Sequence, residues 1–277
     1  MPDIFYLISK WWKQILFVVL LAVVVAGVIV FLQPNEYLSV ATSLPANSLA
    51  ADKARIFNKN IESLYPGFGS PDDLDRIIGT ARLDTVYFSV TDQFNLFDHY
   101  KISGENEKAR IKAACILKKH TRVIKSDYGE LKVKVWDTDK NLAPQLANAI
   151  MEELEIIHRH LQGITNKTSY ESLQLSQQRL QKEIDSLDHH LLETENKNSL
   201  SAVRRQVLFD QWQENEKLIS EYQLMLENNP PVLMTVEKAR PANRPDKPKR
   251  LEIIIATGLL SLLFAFLSAL AIEQRKK

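Results

Sequence analysis

The sequence predicts an α+β membrane protein in which two transmembrane helices flank one extramembrane domain, with a small mixed sheet at its base and long helices forming a coiled-coil-like hairpin. Three observations predict it. Residues 15–32 (ILFVVLLAVVVAGVIVFL) and 251–272 are apolar over spanning length, the second with Glu252 as its one ionisable residue. LKVKVW at 131–136 alternates apolar and basic residues with the period of a half-buried strand. Residues 142–161 and 170–191 repeat apolar residues every three or four positions, the helical period.

At about 1.5 Å per residue the second apolar run reaches roughly 33 Å, enough to cross a hydrocarbon core. Trp11 and Trp12 stand before the first run where an interfacial aromatic belt would lie. A cleaved signal peptide is the competing reading there, because Lys10 and Lys13 precede the apolar stretch; its length and the lack of a following A-x-A site favour an anchor. The mean hydropathy of −0.18 is that of a soluble protein only because two apolar ends are averaged with a polar middle. Lys10, Lys13, Arg275, Lys276 and Lys277 place the tails, 1–14 and 273–277, in the cytoplasm and residues 33–250 across the membrane. Lys238, Arg240, Arg244, Lys247, Lys249 and Arg250 oppose that orientation locally. The first span decides it, because no Lys or Arg occurs between Gln33 and Asp52 and long domains translocate largely regardless of charge.

Residues 33–138 read as an α/β base. A strand at 37–44 (YLSVATSL) follows the first span almost directly, and 47–65 is polar with a weak helical period. PGFGSPDD then supplies a turn and a helix start, with Ser70 as N-cap and Pro71 at N1. Val86, Val90, Phe94 and Phe97 step by three or four and predict a helix despite the β-friendly VYFSV. An amphipathic helix at 105–119 precedes a hairpin made of TRVIK, the turn SDYG and LKVKVW. Cys115, the single cysteine, excludes an intrachain disulfide, and its apolar neighbours mark it as a buried small hydrophobe. A net charge of +1 gives no footprint for nucleic acid.

Residues 139–228 read as the helical hairpin. Leu142, Leu146, Ile150, Leu154, Ile157 and Leu161 form the first stripe, Pro144 is tolerated in the first turn, and Gly163 is an expected interruption. Tyr170, Leu173, Leu180, Ile184, Leu187 and Leu191 follow a heptad seam in which Gln177 and Thr194 are misfits. After a loop at 193–199, Val203, Val207, Leu218, Tyr222 and Met225 carry a looser returning helix. Residues 229–250 give a return strand, VLMTVEK, and then a stiff basic segment in which Pro241, Pro245 and Pro248 withhold backbone donors while Lys247, Lys249 and Arg250 crowd the second span. It reads as an extended strut. Its cations either snorkel to the interface or meet lipid phosphates or an anionic glycan carrier. Ser261, Ala265 and Ala269 on the second span, with Ala22 and Ala26 on the first, are candidate self-association faces.

No constellation predicts catalysis, a metal or a cofactor. His189 and His190 point about 100° apart on a helix, and His158 and His160 have the same defect, so all four are expected to be solvated. Glu152 with Glu153 and Asp72 with Asp73 read as solvated faces and caps. No H-E-x-x-H, G-x-S-x-G or P-loop sequence occurs.

The order of a tail and span, YLSVATSL, a hairpin ending in LKVKVWDTD, a helix opening with NLAPQLANAI, long helices, a return strand and PANRPDKPKR before a second span resembles the Wzz-type polysaccharide co-polymerases, chain-length determinants of bacterial surface polysaccharide. The resemblance covers essentially the whole chain, and its most specific part is the proline-rich segment. It implies a noncatalytic homo-oligomer of the inner membrane with its main domain in the periplasm. Such an assembly would regulate O-antigen, capsule or exopolysaccharide length and export beside a polymerase or exporter, with membrane lipids and a lipid-linked glycan as candidate ligands. The alternative is a membrane scaffold or adaptor that recruits a separate tyrosine kinase, polymerase or exporter. A fused kinase or sensor output module is not expected after the second span, where five residues remain.

Overall fold

The computed structural model describes residues 4–46, 71–104, 106–193 and 199–275. The expected Ser70 cap, the polar stretch 47–65, Thr194 and most of the loop at 193–199 lie outside the described residues. The chain divides into two compact units, one of Met1–Val40, Lys134–Leu146 and Ala239–Lys277, the other of Ala41–Val133 and Ala147–Lys238.

In the first unit, α1 (Ile4–Leu32) and α8 (Arg250–Arg275) are each long and apolar enough to cross a membrane. They pack antiparallel. At one end Lys10 Nζ meets Glu273 Oε1 at 2.7 Å and Trp11 Nε1 donates to Glu273 Oε2 at 3.1 Å; midway, Gly258 brings its backbone against Val23. Ala265 and Ala269 are 6% and 3% exposed. The small residues of α8, read from sequence as a face for other copies, thus pack on the chain's own first span, because small side chains let two antiparallel helices approach closely.

The second unit holds most of the core. α2 (Pro71–Thr80), α3 (Asp84–Gln93), α4 (Leu96–His99) and α5 (Glu107–Lys119) bury Leu74, Ile77, Val86, Val90, Leu96 and Leu117. The helix expected from Leu83 onward breaks at Asn95, whose φ of 47° turns the chain between α3 and α4. Asn106 caps α5 by accepting from Ala109 N at 2.9 Å. Cys115 is exposed, which corrects its expected burial: Ala114 and Leu117 face the core, and one residue past Ala114 the helix has turned about 100° outward.

β2 (Thr121–Lys125) and β3 (Leu131–Asp137) form a hairpin closed by Gly129 at φ 75° and by Ser126, whose Oγ accepts from Glu130 N. The sheet order is β2-β3-β1-β4, with β1 (Tyr37–Pro45) antiparallel to β4 (Leu233–Glu237) and Leu44 opposite Met234. β1 and β4 pair antiparallel, in a sheet that was expected to be mixed. Leu131, Val133 and Val135 are fully buried, and Lys132, Lys134 and Trp136 occupy the opposite face.

α6 (Leu142–Glu193) is a single helix of 52 residues, and α7 (Ser199–Asn228) returns beside it. Gly163 does not interrupt α6. Its cost of about 1 kcal/mol is small against the helical turns on either side.

Candidate functional site

The first unit gathers a network around the proline-rich segment where α1 ends and α8 begins. Lys247, just before Pro248, pairs through both its backbone N–H and its carbonyl. Glu36 N donates to Lys247 O at 2.9 Å, while Asp246 N and Lys247 N donate to Glu36 O at 2.8 and 3.3 Å, an isolated antiparallel bridge. Lys247 Nζ lies 3.4 Å from Glu36 Oε2 and 4.1 Å from the centroid of the Trp136 ring. Trp136 Nε1 in turn donates to Asp246 Oδ2 at 2.7 Å. Farther up the segment Ser39 Oγ, on β1, donates to Arg240 O at 3.0 Å.

The other cations beside the span have intrachain partners as well. Arg250 Nη2 donates to Asn35 Oδ1 at 2.9 Å and its guanidinium stands 4.8 Å from the Phe31 ring, so it straps the last turn of α1 to the first of α8. Lys249 reaches Glu252 at 3.3 Å. A hollow of about 350 Å³ with a mixed polar and apolar lining lies among Gln33, Pro34, Glu36, Lys247, Pro248, Lys249 and Ile253. Of the six residues singled out in this segment, Lys247, Pro248, Lys249 and Arg250 come together here, while Pro241 and Pro245 are exposed. Sequence reasoning missed Glu36, Trp136 and Asp246. Trp136 carried the one available signal, a large aromatic ring at a wet position of an otherwise Lys-bearing strand face.

α6 leaves β3 through a run of carboxylate caps: Asp137 Oδ1 accepts from Asp139 N and Asp139 Oδ1 from Asn141 N, both at 2.8 Å. These caps seat Leu142–Pro144 as the first turn.

In the second unit four side-chain pairs fix the antiparallel register of α6 and α7. Ser176 meets Asn215 at 3.0 Å, Gln177 meets Glu216 at 2.9 Å, Glu183 meets Arg204 at 2.7 Å and Asp188 meets Arg205 at 2.5 Å. Within the seam Ile184 is buried against this pair, Tyr170, Leu173, Leu180 and Leu187 are half-buried, and the Leu191 side chain lies outside the described residues. On α7 the inward position is Leu208, 8% exposed, whereas Val203 and Val207 are 62% and 49% exposed. Burial pushes the Glu221 carboxyl up, against the opposing pull of Lys217. His158 corrects its expected solvation: it is 5% exposed and its Nε2 lies 2.9 Å from Thr80 Oγ1 of α2. Among the described residues no group of three His, Cys, Asp or Glu side chains is placed to hold a metal.

No family model and no curated protein sequence matches the chain. Among solved structures it is similar to a full-length bacterial polysaccharide co-polymerase, at 12% identity and a TM-score of 0.42, over 100% of this chain and 98% of that one. It is also similar to a fragment of WzzB, a polysaccharide co-polymerase from Salmonella Typhimurium, at 15% identity and a TM-score of 0.37, over 77% of this chain and 100% of the fragment.

Proposed function

We propose that the chain is a noncatalytic regulator of surface polysaccharide chain length, held in the bacterial inner membrane by α1 and α8 with the intervening domain in the periplasm, and working as a homo-oligomer beside a polymerase or exporter. The observation that carries this reading is the bridge between Glu36 and Lys247. The segment on which the sequence resemblance chiefly rests is thereby the one that joins the two span ends and, through Trp136, the end of β3. A regulator that sets length by geometry needs its spans held at a fixed angle to its sheet, and a proline-fixed strut resists the flexing that a glycine linker permits.

The experiment is deletion of the gene, complementation with the wild-type chain, and gel analysis of surface polysaccharide. A changed band distribution restored by the wild-type chain supports the reading. An unchanged distribution would sink length regulation.

A further inference from the structure

We propose that the groove between α1 and α8 holds one acyl chain of an anionic phospholipid from the leaflet nearest the chain termini. The stripe Trp12, Ile15, Leu16, Val19, Leu20 and Val23 recurs at three- and four-residue steps, so it forms one continuous face of α1. Ile15, Val19 and Val23 turn toward α8 and make the floor, while Trp12, Leu16 and Leu20 stay more than half exposed as one wall; Leu262 and Phe266 of α8 make the other. The open groove offers about 560 Å³ and its lining is almost wholly apolar.

Two features choose the occupant. From Trp12 to Val23 the groove runs about 16 Å along the helix, close to half of a hydrocarbon core, which is the depth of one leaflet. At its mouth the Lys13 ammonium stands 5.9 Å from the Trp12 ring, a cation and an interfacial aromatic at headgroup depth. Lys10, one turn away, is held by Glu273, so Lys13 is the cation of this stretch of α1 placed to meet a lipid phosphate. A span from a second copy would present a cylinder about 10 Å across, broader than a single acyl chain.

The full chain is reconstituted in nanodiscs containing phosphatidylglycerol or phosphatidylcholine that carries the same diazirine on one acyl chain, and adducts are mapped by mass spectrometry. Labelling by phosphatidylglycerol should concentrate on Leu16, Leu20, Leu262 and Phe266 over the outward Phe17 and Leu263, and exceed that by phosphatidylcholine about fivefold in the groove. Lys13→Gln should erase the headgroup preference while leaving the adduct positions unchanged. The pair Leu16→Trp and Leu20→Trp should block groove adducts without affecting those on Leu263. Equal labelling of groove and outward positions, or no headgroup preference in the wild-type chain, overturns the proposal. So does protein–protein adduct formation in the groove, which would assign it to a second copy, or displacement of the label by an isoprenyl phosphate at equal concentration, which would assign it to a carrier lipid.

Discussion

Trp136 Nε1 donates to Asp246 Oδ2 at 2.7 Å across 110 residues of sequence, and the same ring carries the Lys247 ammonium on its face. A strand end and the strut are thereby fastened twice. Trp136→Ala should remove a charge-assisted hydrogen bond and a cation–π contact, together about 2 to 3 kcal/mol. Asp246→Ala should cost less, because the ring remains under Lys247. Hydrogen exchange at Glu36 and Asp246 amides, whose donors make the bridge, should rise in both variants. Unchanged protection in Trp136→Ala would mean that the backbone bridge stands alone.

Replacing Pro245 and Pro248 by alanine frees φ at two positions of the strut without touching the fasteners at Asp246 and Lys247. On the proposed function this should alter the glycan length distribution with membrane insertion intact. Normal lengths in a cell with the cognate pathway would remove the strut from the mechanism.

Ala265 lies 6% exposed against α1, so Ala265→Leu should overpack the pair of spans by about 1 to 3 kcal/mol. Val23→Cys with Gly258→Cys, in a Cys115→Ala background, should form an intrachain disulfide because a Cβ at 258 would stand 3.7 Å from Val23 Cγ2. Adding Ala265→Leu should lower its yield. An undiminished yield, with a smaller mass by light scattering, would return this face to contacts between copies.

The hairpin separates contacts within a chain from those between chains. Ile184→Ala and Leu208→Ala each remove a buried side chain and should destabilise the far half of α6 and α7 by about 2 to 4 kcal/mol, read as faster local hydrogen exchange. Val207 is 49% exposed in the single chain, so Val207→Cys with Cys115→Ala should give covalent dimers if neighbouring copies cover that side. Monomer alone, here and at Val203→Cys, would mean that an oligomer is held by other surfaces. Gln177 is a poor crosslinking position by comparison, since it is bonded to Glu216 inside the pair.

Tyr87 makes an alkaline prediction with a definite sign. Its hydroxyl donates to Ala81 O at 2.8 Å, and burial, aided by the charge of Asp84, pushes its pKa up to about 12. The folded chain then holds the proton more tightly than the unfolded one, so the stabilisation is complete below about pH 10 and is lost as pH rises toward 12. Tyr87→Phe should flatten that part of the pH–stability curve, by on the order of 2 kcal/mol over the window, and lower stability at neutral pH through the lost hydrogen bond. Parallel wild-type and Tyr87→Phe curves above pH 10 would contradict it.

Local pattern made much of the architecture legible. The strict alternation of Leu131, Val133 and Val135, the uncharged runs that became α1 and α8, and the three–four spacing of Leu146, Ile150 and Leu154 each fix an element through its own period. Two of the failures depended on partners far away in sequence. His158 is buried because Thr80, 78 residues earlier, lies against it, and the face of Ala265 is covered by a helix at the opposite end of the chain. The proline segment could be recognised as stiff from its own residues. That it is tied to Glu36 and Trp136 could not, since an acid after a span and a tryptophan in a strand announce no partner.

The length of α6 gives its seating a kinematic meaning. At about 1.5 Å per residue, the 35 residues of this helix beyond His158 make a rod of about 53 Å, so a rotation of about 3° at its base carries the end at Glu193 through roughly 3 Å. Bending along the helix absorbs part of such a motion. The rest is leverage: Ile150, Leu154 and His158, buried in the core, hold the near part of the rod, and the tolerance of that packing bounds the arc that the far end can sweep.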